Sequence, residues 1–120
     1  MVNILIVDDS RTIRNLLKNT LEGAGYTVCQ AEDGMDALEK LSEFDPSIII
    51  TDLNMPRMNG FELVQKLRQQ AKTKFIPILF LTTEGSPEVR EKGREAGATG
   101  WLVKPFDATR LLNTIDRVSA

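Results

Sequence analysis

Apolar positions along this chain follow two periods that alternate five times. Short apolar runs occur at residues 3–7, 26–30, 47–51, 76–81 and 101–103. They are rich in Ile, Val and Leu and too short for buried helices, so they predict strands of a parallel sheet covered on both faces. Pro77 falls near the start of its run, where a strand tolerates proline. The intervening segments carry helical spacing. The first predicted helix follows Ser10, with Ile13, Leu16, Leu17, Leu21 and Ala24 inward and Gly23 and Gly25 ending it. The second follows Gly34 with Ala37, Leu38 and Leu41 inward, and the third follows Gly60 with Leu63, Val64 and Leu67 inward. The fourth opens at Ser86-Pro87-Glu88, a cap followed by proline at the first helical position, and stops near Gly97. The fifth is capped by Asp107 and carries Leu111, Leu112, Ile115 and Val118. The fourth has only Val89 and Ala96 as apolar side chains, which predicts loose packing and easy movement.

Strand–helix alternation implies right-handed crossovers and helices on both faces of the sheet. Runs one, three and four are almost wholly apolar and belong in the middle. Run two mixes Tyr26, Thr27, Val28, Cys29 and Gln30, and run five is the shortest, so both suit edges. The order 2-1-3-4-5 satisfies both conditions. This is the α/β, flavodoxin-like, doubly wound (βα)5 arrangement.

Composition narrows the function. A chain of 120 residues with 42% hydrophobic and 27% charged residues reads as one soluble domain, 1–120, with no room for an output domain. No apolar stretch approaches the roughly 20 residues of a membrane span, and the N-terminus lacks a signal-peptide pattern. Cys29 has no intrachain partner and reads as a small buried side chain, which fits a reducing cytoplasm. The absence of histidine excludes Ser-His-Asp and Cys-His devices, His-ligated zinc and a phosphohistidine on this chain. The net charge of −2 leaves no global footprint for nucleic acid, although residues 1–60 carry 5 basic and 10 acidic side chains and residues 61–120 carry 10 and 7.

The notable polar residues each come directly after a strand: Asp8 and Asp9 after the first, Asp52 after the third, Thr82 after the fourth, Lys104 after the fifth. The ligand crevice of an open parallel sheet lies at these carboxyl ends, beside the switch in strand order. Singly, each has an ordinary explanation as a cap, a turn residue or a strand end. Together they predict three carboxylates in one crevice. Two unit charges about 4 Å apart repel by on the order of 4 kcal/mol at a moderate effective dielectric, and Lys104 offsets only one charge. An oxygen-only ligand set with this excess of negative charge predicts Mg²⁺, or Mn²⁺, with the Asn54 carbonyl as a further oxygen. A flavodoxin-type cofactor binder would need a phosphate-cradling Gly/Ser/Thr loop after the first strand, and here that loop starts with two acids. A haloacid-dehalogenase-like phosphohydrolase would want a second acid two residues after Asp52, where this chain has Asn54.

The stretches "VDDS", "TDLNMPRMNGFEL", "LTTE" and "AGATGWLVKPF" and their spacing resemble the receiver domains of two-component response regulators over essentially the whole chain. The resemblance implies that Asp52 is the phosphoacceptor for a phosphoryl group from a sensor histidine kinase. It implies that Asp8, Asp9, Asp52 and the Asn54 carbonyl hold Mg²⁺, that Lys104 contacts the phosphoryl group and that Thr82 hydrogen-bonds it. It also implies a cis Lys104–Pro105 bond, Asn54 and Glu84 as tuners of acyl-phosphate hydrolysis, and Thr82 with Trp101 as a coupled switch. The family usually has Tyr or Phe at the position of Trp101. Within the family the sequence is most similar to single-domain chemotaxis receivers. Such a chain is a monomeric signalling phosphoacceptor rather than an enzyme, with a CheA-like kinase and a FliM-like flagellar switch protein as partners. A phosphorelay shuttle or a receiver from a transcriptional regulator is the alternative. Residues 84–120 carry 6 basic and 6 acidic side chains, so the expected readout face has no DNA-binding patch.

Overall fold

The computed structural model describes residues 2–119. Ten elements alternate: β1 (Asn3–Val7), α1 (Arg11–Gly23), β2 (Thr27–Ala31), α2 (Gly34–Lys40), β3 (Ile48–Thr51), α3 (Gly60–Arg68), β4 (Ile78–Thr82), α4 (Pro87–Ala96), β5 (Gly100–Val103) and α5 (Ala108–Val118). The five strands pair in parallel in the order β2-β1-β3-β4-β5, as the sequence predicts. This is the flavodoxin-like fold.

Alternation along each strand sorts the core into two layers. Leu5, Val7, Ile49, Ile78 and Phe80 face Ala37 of α2 and Leu63, Val64 and Leu67 of α3, with Val89 and Ala96 of α4 packed alongside. Ile4, Ile6, Ile48, Ile50, Leu79 and Leu81 face Leu17 and Leu21 of α1 and Leu111 and Ile115 of α5. Within α4 only Gly93 is fully buried, in keeping with its sparse apolar content. Among the described residues no helix is long and apolar enough to cross a membrane.

Helix starts follow the capping chemistry in the sequence. Ser10, Asp33, Asn59, Ser86 and Asp107 each accept from a backbone N–H of the first turn. Asn59 and Glu62 complete a reciprocal capping box. Gly97 ends α4 at φ 115°, a left-handed value natural to glycine.

Several boundaries shift. Tyr26 lies outside β2 because its N–H turns back to the Leu21 carbonyl. Ser47, Ile76 and Pro77 precede their strands, and Pro77 has no N–H to give the ladder. Thr82 closes β4, paired with Val103, and does not follow the strand as expected. Two α1 side chains expected inside are outside: Leu16 is 49% exposed and Ala24 caps the helix at the surface. The buried stripe of α1 centres on Leu17 and Leu21, and Leu16 is rotated about 100° from it. Cys29 is half-buried rather than buried, and partial burial pushes its thiol up, away from the reactive thiolate.

Candidate functional site

Register delivers the acids to one place. Val7 of β1 pairs with Thr51 of β3, so Asp8 and Asp52 are the next residues on adjacent strands. The Asp52 N–H donates to the Val7 carbonyl (2.9 Å) and the Asp8 N–H to the Ala31 carbonyl (3.1 Å), which fixes both backbones at the sheet edge. Carboxylate oxygens of Asp8, Asp9 and Asp52 lie within 4.8 Å of one another. Asp8 and Asp52 are buried, whereas Asp9 is exposed at the mouth.

Lys104 reaches over from the end of β5, where its N–H donates to the Thr82 carbonyl (2.8 Å). Its Nζ donates to Asp8 Oδ2 at 2.7 Å and to Asp52 Oδ2 at 3.0 Å. The second oxygens are also used: Asp8 Oδ1 accepts from the Ser10 N–H (2.9 Å) and Asp52 Oδ1 from the Leu53 N–H (2.7 Å). Burial raises the Asp8 carboxyl above the usual carboxylate range, with Asp52 adding repulsion, in spite of the lysine. Burial alone would lower the Lys104 ammonium, but its bonds to Asp8 and Asp52 outweigh that and raise it. The one ammonium pairs with two of the three carboxylates, so the pocket remains short of positive charge. Hard oxygen donors around such a deficit suit a small divalent cation.

The buried Thr82 hydroxyl has no hydrogen-bond partner among the described residues. An orphaned hydroxyl in a buried position is costly unless a ligand or water satisfies it. Around the rim, Asn54 Nδ2 donates to Glu84 Oε1 at 3.2 Å, linking the loops after β3 and β4. The Glu84 carbonyl in turn accepts from Trp101 Nε1 at 2.7 Å. The indole is half-buried, 4.9 Å from the Phe80 ring centroid. The Lys104–Pro105 bond is cis. Asp8, Asp9, Asp52 and Lys104 thus come together, Thr82 ends the neighbouring strand, and Asn54, Glu84 and Trp101 form a connected rim.

A family model for the response regulator receiver domain matches residues 4–116. The chain belongs to the response regulator receiver family. It is 46% identical over 107 residues to chemotaxis protein CheY1 of Helicobacter pylori, covering 88% of this chain and 86% of that protein. The solved structure of chemotaxis protein CheY4 of Vibrio cholerae superposes with a TM-score of 0.94 at 52% identity, covering 98% of each chain. The receiver domain of sensor histidine kinase PA1611 from Pseudomonas aeruginosa, solved with a magnesium ion coordinated in its active site cleft, gives 0.90 at 26% identity over 98% of this chain and 97% of that one.

Three features of this receiver escaped the sequence reading. Arg14 on α1 donates from Nη1 to the Asp8 carbonyl at 2.5 Å. Helical side chains lean toward the N-terminus, so an arginine one turn past a cap beside two acids was an available signal. Gly93 sits in the middle of α4, where glycine costs about 1 kcal/mol relative to alanine and so asks for a reason. The reason is Trp101, which fills the space a side chain would take. The third is the pairing of Arg57 with Asp33, 24 residues apart; nothing in the local pattern announced it.

Proposed function

We propose that this receiver works as a chemotaxis response regulator in which Asp52 accepts a phosphoryl group from a phosphohistidine of a partner kinase. The observation that carries the reading is the convergence of Asp8, Asp9 and Asp52, with Lys104 donating to Asp8 and Asp52. The Asp52 carboxylate attacks phosphorus as the bond from phosphorus to the donor imidazole nitrogen breaks, and the imidazole leaves with the electron pair. Asp8, Asp9, Asp52 and the Asn54 carbonyl would hold Mg²⁺, which when bound supplies positive charge to the phosphoryl oxygens; the same donors admit Mn²⁺. The magnesium in the Pseudomonas receiver supports that choice. Lys104 Nζ, already against Asp52, would follow the new negative charge, and the unpartnered Thr82 hydroxyl would donate to a phosphoryl oxygen. Asn54 and Glu84, joined by a hydrogen bond at the rim, would control water at the acyl phosphate.

The output follows from charge. A phosphoryl group adds about −1.5 to −2. It competes with Asp8 for Lys104 and offers the unpartnered Thr82 hydroxyl an acceptor. Thr82 and Val103 are paired across β4 and β5, and Trp101 lies two residues before Val103, so a shift at Thr82 reaches the α4/β5/α5 face. A groove of about 160 Å³ on that face is lined by Arg90, Trp101, Val103, Phe106 and Arg110, among others. A FliM-like flagellar switch protein is the effector, and a CheA-like kinase the donor. The likeness to chemotaxis proteins favours this output over a relay or transcriptional one.

The test is labelling with acetyl phosphate in Mg²⁺. Wild type takes up one phosphoryl group, and Asp52→Asn takes up none. Stoichiometric labelling of Asp52→Asn would show the acceptor to be wrong. Capture of a flagellar switch peptide by protein activated with beryllofluoride, and not by untreated protein, tests the output.

A further inference from the structure

Two residues outside the acidic cluster tie the loop after β3 to the start of α2. Arg57 Nε donates to Asp33 Oδ2 at 2.8 Å and Arg57 Nη2 donates to Asp33 Oδ1 at 2.9 Å. The Asp33 side chain is only 5% exposed. The same carboxylate caps α2, accepting from the Asp36 N–H at 2.8 Å. Arg57 has φ 67°, the one positive value outside glycine among the described residues. A side chain with a Cβ stays in that region where its surroundings hold it there.

The neighbouring contacts lock the same loop. Met58 is buried against Gly34, whose Cβ, if it had one, would lie 2.8 Å from the Met58 sulfur. The Gly60 N–H closes the loop onto the Leu53 carbonyl at 2.7 Å. A Cβ on Gly60 would lie 2.5 Å from the Asp52 carbonyl oxygen, so the chain there passes directly behind the proposed acceptor. The segment carrying Asn54 is therefore closed at its ends and pinned in its middle to α2.

We infer that Asp33 and Arg57 are positioning residues for the site: their two-point ion pair holds the loop after Asp52 so that Asn54 meets the cation already in place. Neither touches the reacting atoms. The inference rests on the proposed function, because it needs Asn54 in the cation's ligand set. A loop ordered in advance loses no conformational entropy when the ligand arrives, and affinity gains by that amount. Most surface ion pairs contribute little. This one has a planar fork on a buried carboxylate, which is the geometry that fixes orientation.

The experiment measures Mg²⁺ affinity by calorimetry and amide hydrogen exchange without metal, on wild type, Arg57→Ala, Arg57→Lys and Asp33→Asn. Asparagine caps helices as well as aspartate, so Asp33→Asn removes the ion pair and keeps the cap. Arg57→Ala and Asp33→Asn should each weaken Mg²⁺ binding by about 3- to 10-fold, a loss of about 0.7–1.4 kcal/mol. Exchange should quicken more in residues 53–59 than in β1 and β3, where it follows only the loss of global stability. Arg57→Lys should recover part of the affinity, since it restores the charge without the fork. Unchanged Mg²⁺ affinity in both variants overturns the inference, whether or not the loop exchanges faster. Weakened affinity with exchange in residues 53–59 quickened no more than in β1 and β3 overturns it too, as general destabilisation. Absence of saturable binding in wild type overturns the proposed function and the inference together, so the two failures are distinct.

Discussion

The indole of Trp101 occupies the space of a missing side chain on Gly93: a Cβ there would lie 2.6 Å from indole Cζ3 and 2.9 Å from Cε3. A bulky ring on β5 therefore fits beneath α4 because α4 carries glycine opposite it. The indole on β5 and the helix-weakening glycine of α4 are two halves of one packing solution.

Gly93→Ala sets helix propensity against overlap. Alanine favours the helix by about 1 kcal/mol. Overpacking costs about 1–3 kcal/mol, and the new Cβ would also lie 3.3 Å from Phe80 Cε2. The indole should yield outward and lose its bond to the Glu84 carbonyl. The expected result is a red-shifted Trp101 emission and a slightly lower midpoint in urea. An unshifted spectrum would mean that α4 moves instead of the ring.

Asp9→Asn should raise the thermal midpoint of the metal-free protein by about 3–5 °C at low salt. It removes one of three carboxylates gathered within 4.8 Å, and the relief is screened by added salt because Asp9 is exposed. The same substitution should abolish the increase in midpoint that Mg²⁺ gives wild type, since only a ligand of the folded state stabilises it. Scanning calorimetry with and without saturating Mg²⁺ checks both signs.

Arg68 ties the end of α3 to the far end of α4. Its Nε donates to the Gly97 carbonyl (2.9 Å), and its Nη1 to the carbonyls of Ile76 (2.6 Å), Lys74 (3.1 Å) and Thr73 (3.2 Å). Arg68→Met keeps the aliphatic stem and strands these acceptors, so it should cost about 2–4 kcal/mol in urea unfolding. Hydrogen exchange should rise first at residues 97–99.

Acid should reveal Asp33. The hydrogen bonds from Arg57 hold its carboxyl below the usual carboxylate range. A folded value depressed in this way contributes stability above the unfolded value of about 3.9, and that stability is lost as pH falls through the lower folded value. Wild type should therefore exceed Asp33→Asn in stability at pH 7, and the gap should close below about pH 4. Urea unfolding of both proteins at pH 7 and pH 3 measures it.

The pattern of apolar residues pointed to the strand order, because the mixed second run and the short fifth run suit edges, and both lie there in the sheet. The same pattern placed Asp8, Asp9, Asp52, Thr82 and Lys104 at one end of the sheet, since each stands at the end of a buried run. What it mistook was local: Leu16 is apolar but lies about 100° round the helix from Leu17, off the buried stripe, and the Tyr26 N–H bonds to α1 and not to β1. Periodicity is a property of one segment, and it reports which side of that segment is apolar. Pairings between separate loops and elements, such as Arg57 with Asp33, Asn54 with Glu84 and Trp101 with Gly93, depend on how neighbouring elements are set against each other. Those distances come from packing of the whole sheet and its helices, so only the tertiary structure decided them.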